Sequence, residues 1–267
     1  MRVTVLGSGT LLPDAARHSA AHHVSFDGAS VLLDCGSGTL HGLARWDIGW
    51  TSLTHVVITH YHADHVGDLA PLMFALCHRL KGVRSEPLVL LGPPGFTGFL
   101  ERLAAAMGPY VLDPGFPVDV IEVEPGVPHE TTVPGFRVWS CTTPHTDESI
   151  ACRVSAAGEV VGYTGDTGPS DEVAGFLSGC GLVVSECAWP DPCEQEGHLS
   201  PARVAIMAAS ARPGLLVLTH VYPPLTPEEA AAQVRARYDG RVVAAADGMS
   251  FAPGPEGWAV DPAPPAV

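Results

Sequence analysis

The chain has 267 residues, enough to bury a sizeable core in one domain. Lys and Arg number 14 against 29 Asp and Glu, a formal charge of −15 that repels a long polyanion rather than steering it in, so a general nucleic-acid binder is not expected. The apolar start over residues 3–6 is too short for a signal peptide and no run of about 18 apolar residues follows, so a soluble, cytoplasmic protein with no membrane partner is expected.

In chain order, residues 3–6 read as a first strand, and 23–26 with 30–34 as a hairpin around Asp27-Gly28. A strand over 53–59 leads into a helix over 64–79. A strand over 87–91 ends at Gly92-Pro93-Pro94-Gly95 and a helix over 96–107 follows. Strands return at 118–123, 136–141 and 150–155, the last turning through Ala156-Ala157-Gly158 into 160–163. From there helices and strands alternate: helix 170–177, strand 182–185, helix 201–211, strand 215–219, helix 227–238 and strand 241–245. Two halves that each supply a sheet and flanking helices predict an α/β fold of the αββα sandwich type, with loops gathered along the edge where strands end. One catalytic domain over 1–261 and a disordered tail over 262–267 are expected.

The densest chemistry lies in Thr59-His60-Tyr61-His62-Ala63-Asp64-His65, four potential ligands in six residues after an apolar strand. His60 and His62, two apart in extended chain, project to one side and can meet one cation at about 2.0–2.1 Å. Asp64 and His65, where the chain turns into a helix, are aimed at a neighbouring position about 3.5–4 Å away, the spacing of two-metal sites. Further ligand types stand just after predicted strands: His145 in Thr143-Pro144-His145, Asp166 in Thr164-Gly165-Asp166-Thr167, and His220 in Leu218-Thr219-His220. Asp247, in Ala246-Asp247-Gly248, reads as a turn residue of a late hairpin. The seven cysteines are odd in number and form no C-x-x-C pair, so they read as small buried apolar residues rather than as disulfides or a structural zinc knuckle.

The run from His60 to His65 resembles the H-x-H-x-D-H signature of the metallo-β-lactamase superfamily, and the segments around His145, Asp166 and His220 resemble its later motifs in order. Carried over, the resemblance implies that His60, His62 and His145 hold one metal, that Asp64, His65 and His220 hold the other, and that Asp166 bridges them. Two Zn²⁺ are the implied cofactors, with Mn²⁺ or Fe as substitutes. An anionic bridge is what two neighbouring dications require. Asp at position 166, where many β-lactam-cleaving relatives carry Cys, resembles the other branch.

Val183-Val184-Ser185-Glu186-Cys187 and Gly197-His198-Leu199-Ser200 resemble the H-E-A-T strand end and the G-H-[ST] turn of the ribonuclease Z group, with Ser185 departing from the usual His. The segments Leu6-Gly7-Ser8-Gly9-Thr10, Arg17-His18-Ser19-Ala20 and Leu32-Leu33-Asp34-Cys35-Gly36 resemble the same group. That likeness implies Asp64, His198 and Glu186 as catalytic residues: metal-activated hydroxide attacks phosphorus, and His198, kept cationic by Glu186, protonates the departing alkoxide. Transfer-RNA 3′ processing members carry a long basic arm between the third and fourth motifs. Here only twenty residues separate His145 from Asp166, room for a hairpin. The cysteine-rich structural zinc of the cyclic-phosphate phosphodiesterases of phosphonate metabolism has no counterpart either. The expected substrate is a small or nucleotide-like phosphodiester, with a carboxyl ester, thioester or lactone, or a transfer-RNA precursor, as alternatives. Dimerisation is frequent in the family, and the apolar helix over 69–80 could serve a homodimer, although a helix buried in the chain's own core accounts for the same residues.

Overall fold

The computed structural model describes residues 1–131, 133, 135–193 and 195–262. Its first half lays down β1 (Arg2–Gly7), β2 (Ala21–Phe26), β3 (Ala29–Leu33), α1 (Thr39–Arg45), β4 (His55–Val57), α2 (Ala63–Val66), α3 (Leu69–Leu80), β5 (Leu88–Gly92), α4 (Phe96–Met107) and β6 (Val118–Glu122). The second half adds β7 (His129–Glu130), β8 (Arg137–Thr142), β9 (Ile150–Ala156), β10 (Glu159–Tyr163), α5 (Asp171–Phe176), β11 (Leu182–Glu186), α6 (Pro201–Ala211), β12 (Leu215–Thr219), α7 (Pro227–Arg235), β13 (Val242–Ala244), β14 (Ser250–Gly254) and β15 (Gly257–Asp261).

Two mixed sheets face each other, in the orders β15-β14-β1-β2-β3-β4-β5-β6 and β13-β12-β11-β10-β9-β8-β7. The central strands are apolar on both sides because each separates two cores. In β12, Leu215 and Val217 face the other sheet while Leu216 and Leu218 face the helices α5, α6 and α7. In the first sheet Val57 points inward, and Val56 and Ile58 point outward against α3 and α4. The result is the four-layer αββα sandwich, with the helices on the outer faces as the parallel crossovers β4 to β5, β5 to β6, β11 to β12 and β12 to β13 require.

Two expectations change. The two sheets are not simply the two halves of the chain: β14 crosses back to pair antiparallel with β1, Val3 opposite Phe251, and β15 forms the outer edge. Phe251 and Trp258 on that hairpin are buried in the core between the sheets, which is what draws it there. The helix over 64–79 is two helices, broken at Gly67-Asp68 between α2 and α3. Asp68 Oδ2 accepts from the N–H groups of Gly38 and Leu40 at 3.1 and 3.0 Å, capping α1 rather than continuing its own helix. The apolar face of α3 (Leu69, Leu72, Met73, Leu76) packs on the chain's own sheet, leaving only Phe74 of its large apolar side chains exposed. Of the expected tail, residues 263–267 lie outside the described residues. No helix among the described residues is long and apolar enough to cross a membrane.

Candidate metal centre

Strands β4, β8, β10, β11 and β12 all run toward one edge, so the residues that follow them are neighbours in space. Beyond β4 the chain delivers His60 and His62 in extended conformation, then Asp64 and His65 on the single turn α2. Beyond β8 comes His145, beyond β10 Asp166 and beyond β12 His220, the last in a left-handed conformation with φ +56°. All seven expected ligands are brought together. His62 is exposed, and His60, Asp64, His65, Asp166 and His220 are buried.

The atoms converge as two triads sharing one carboxylate. His62 Nδ1 lies 3.1 Å from both His60 Nε2 and His145 Nε2, and Asp166 Oδ2 lies 3.8 and 3.7 Å from those two Nε2 atoms. On the other side His220 Nε2 is 3.1 Å from Asp64 Oδ2, His65 Nε2 is 3.9 Å from the same oxygen, and Asp166 Oδ1 is 3.3 and 3.6 Å from His65 and His220 Nε2. Ligands bound at about 2.0–2.1 Å to a tetrahedral cation stand roughly 3.3–3.4 Å apart, so both triads have the separations of a coordination sphere.

The donor chemistry fits a cation. His65 Nδ1 lies 2.6 Å from Asp34 Oδ2, and His145 Nδ1 lies 2.9 Å from the Gly197 carbonyl, so each donates from Nδ1 and turns Nε2 toward the centre, the nitrogen that would bind a cation. Thr59 Oγ1 donates to Asp34, which leaves it to accept from His60 Nδ1 at 3.1 Å and frees His60 Nε2 likewise. His65 Nε2 and Asp166 Oδ1 are buried without a hydrogen-bond partner, an arrangement that costs free energy unless a cation satisfies them. Charge is arranged to match: burial works against an Asp166 carboxylate, but His220, His65 and His60 outweigh it and hold its pKa well below the ordinary range. Burial and the neighbouring His65 push His60 well below the usual imidazole value, toward the neutral ligand form.

Beside this cluster, Glu186 ends β11 fully buried and accepts from Thr167 N–H at 2.7 Å, Leu199 N–H at 3.0 Å and His198 Nδ1 at 3.0 Å. Burial alone lowers the His198 pKa, but the hydrogen bond and charge of Glu186, with Asp166 and Asp64 behind it, raise it above the ordinary value. The His198 ring stands 4.7 Å from that of His145 and 6.0 Å from that of His220. With Nδ1 taken by Glu186, its Nε2 is the nitrogen free to face the centre. Ser200 occupies the N-cap of α6 and Pro201 its first position, but the Ser200 side chain makes no capping bond; Asp191 accepts from Ala202 N–H at 3.2 Å instead.

Sequence reasoning gave Asp34 no role. It sits where the buried apolar strand β3 ends, and its carboxylate accepts from Thr59 N–H, the Tyr163 hydroxyl and His65. A carboxylate ending an apolar strand was the available signal. All seven cysteines are free, and Cys35, Cys141, Cys152, Cys180 and Cys187 are buried. The interval between His145 and Asp166 holds only the hairpin of β9 and β10.

A model of the beta-lactamase superfamily domain matches residues 29–221. Ribonuclease Z of Mycobacterium sp. (strain KMS) is 31% identical over 255 residues, covering 86% of this chain and 87% of that protein. Among solved structures, the metallo-beta-lactamase fold protein YhfI from Bacillus subtilis superposes with a TM-score of 0.79 at 25% identity, covering 93% of this chain and 97% of that one. The short form of human tRNase Z gives 0.77 at 23% identity, covering 94% and 99%.

Proposed function

The chain belongs to the beta-lactamase superfamily and is a metal-dependent hydrolase of phosphodiesters, and we propose that it cleaves a small or nucleotide-like phosphodiester with two Zn²⁺ and with His198 as general acid. The observation that carries this is the Glu186–His198 pair, 3.0 Å apart, beside a complete set of ligand residues. His60, His62 and His145 would hold one cation, Asp64, His65 and His220 the other, with Asp166 offering one oxygen to each. Divalent cations bound there supply Lewis acidity toward phosphoryl oxygens and lower the pKa of water toward neutrality.

The chain's own groups account for the rest. As the P–O bond to the leaving group breaks, the proton on His198 Nε2 passes to the departing alkoxide, and the Glu186 carboxylate at Nδ1 stabilises the imidazolium beforehand. Thr167 and Leu199 N–H groups fix that carboxylate, so His198 enters in one orientation. Asp34 and the Gly197 carbonyl likewise fix the ligand tautomers of His65 and His145. The overall charge of −15 and the short β9–β10 hairpin favour a compact substrate. Transfer-RNA processing is the second reading, favoured by the Ribonuclease Z relatives.

A panel of aryl and nucleotidyl phosphodiesters, a precursor transfer RNA, a thioester and a lactone, each assayed with Zn²⁺ and Mn²⁺, decides among these. Turnover of small diesters well above the RNA is expected. Cleavage of the RNA alone would replace the substrate, and cleavage of the thioester or lactone alone would replace the reaction.

A further inference from the structure

Asp247, which reads as an ordinary turn residue in the sequence, has an almost fully buried carboxylate that gathers donors from the far end of the chain. Its Oδ1 accepts from both the N–H and the hydroxyl of Ser8 at 2.8 Å, and its Oδ2 accepts from His18 N–H at 2.7 Å. Ser8 in turn offers its carbonyl to His220 N–H at 3.1 Å and to the Thr219 hydroxyl at 3.3 Å. His220 needs this support, because its φ of +56° is a conformation that side chains rarely adopt and that surrounding bonds must hold. Asp247 is itself fixed to β1, since Gly248 N–H donates to the Val5 carbonyl at 2.8 Å and Val5 N–H to the Met249 carbonyl at 2.9 Å.

We infer that Asp247 is a positioning residue for one of the two metal positions: acting through Ser8, it holds the backbone of His220 so that Nε2 stays beside Asp64 Oδ2. The route bears on one triad only. His60, His62 and His145 hang on β4 and β8 and on the Gly197 carbonyl, whereas the polar partners of the Asp247 side chain among the described residues are Ser8 and His18. Replacing the carboxylate by an amide leaves one accepting oxygen for the donors of Ser8 and His18 and sets an amide N–H against the backbone N–H of one of them, so the Ser8–Asp247–His18 junction loosens and with it the Ser8 carbonyl that holds His220.

The inference rests on the ligand assignment above but not on the substrate, and its test needs no turnover. The metal-free full chain is titrated with Co²⁺, followed by visible absorption, and with Zn²⁺ by calorimetry. His220→Ala and His62→Ala serve as references for the two positions. Asp247→Asn is expected to weaken by about 10–100-fold the step that His220→Ala abolishes, the range for outer partners of metal ligands, and to leave the other step at wild-type affinity. The metal-free variant should unfold within a few degrees of the parent. Wild-type affinity at both steps, or equal loss at both, overturns the inference. Ser8→Ala, which removes one of the carboxylate's donors, should show a smaller loss at the same step, and decides the question if Asp247→Asn does not fold.

Discussion

His65 Nδ1 and Asp34 Oδ2 lie 2.6 Å apart across 31 residues of sequence, both fully buried, and this bond decides which nitrogen of His65 is left for a metal. Asp34→Asn keeps the shape and removes the charge. Metal affinity is expected to fall by about 10–100-fold, measured by competition with a chromophoric chelator. Tyr163→Phe, which removes one neutral donor from the same carboxylate, should cost far less.

Substituting His198 by Ala should lower kcat by about 10²–10⁴-fold while both metals stay bound, since no ligand is touched. The loss should shrink for p-nitrophenyl esters, whose leaving group needs little protonation. The pH profile tests the partner. A group whose pKa is raised in the fold is protonated below that value, so activity that needs the acid falls as pH rises through it. Glu186 contributes most to raising His198, ahead of Asp166 and Asp64, so Glu186→Gln should move this limb to lower pH. An unmoved limb would assign it to another group.

Buried histidines outside the proposed ligand set contribute to acid stability. Burial pushes His22 down to about 3 and His23 and His55 down to about 4. Each is neutral in the fold, whereas the unfolded chain takes up a proton near pH 6.5. The unfolded state therefore binds more protons between about 6.5 and 4, and stability present above that window is lost as pH falls through it. Each group contributes a slope of up to about 1.4 kcal/mol per pH unit. Urea unfolding of a His55→Gln variant at pH 5 and 7 should show a shallower pH dependence than the parent.

Gly36 passes directly under the metal turn: a Cβ there would lie 2.1 Å from the Asp64 carbonyl and 2.8 Å from that of Ala20. Backbone must move to admit it. Gly36→Ala is expected to lose about 1–3 kcal/mol of stability, as overpacking does, and to weaken metal binding through Asp64; thermal unfolding and metal titration check the two effects.

The cluster proposed to hold metal was legible because each of its segments follows a strand whose apolar run is plain in the sequence, and because a His or Asp at such a point has no reason to be there in a dry interior. The helices over 96–107 and 201–211 and the strand over 215–219 matched their boundaries for the same reason. What escaped depends on partners distant in sequence. Asp34 and Asp247 gain their roles from His65 and Ser8, which lie 31 and 239 positions away. The break at Gly67-Asp68 reflects Asp68 bonding to α1, a short Gly-containing helix with little periodic signal. The hairpin of β14 and β15 carries Pro253 and Gly254, which weaken any strand pattern, and is held by pairing with β1.

The most direct test is to strip the protein of metal and follow its hydrolysis of bis(p-nitrophenyl) phosphate as Zn²⁺ is restored. Activity should be absent in the metal-free protein and rise until two equivalents are bound, and His60→Ala or His220→Ala should abolish that rise. Hydrolysis undiminished without metal, or restoration that survives loss of either histidine, would contradict the account.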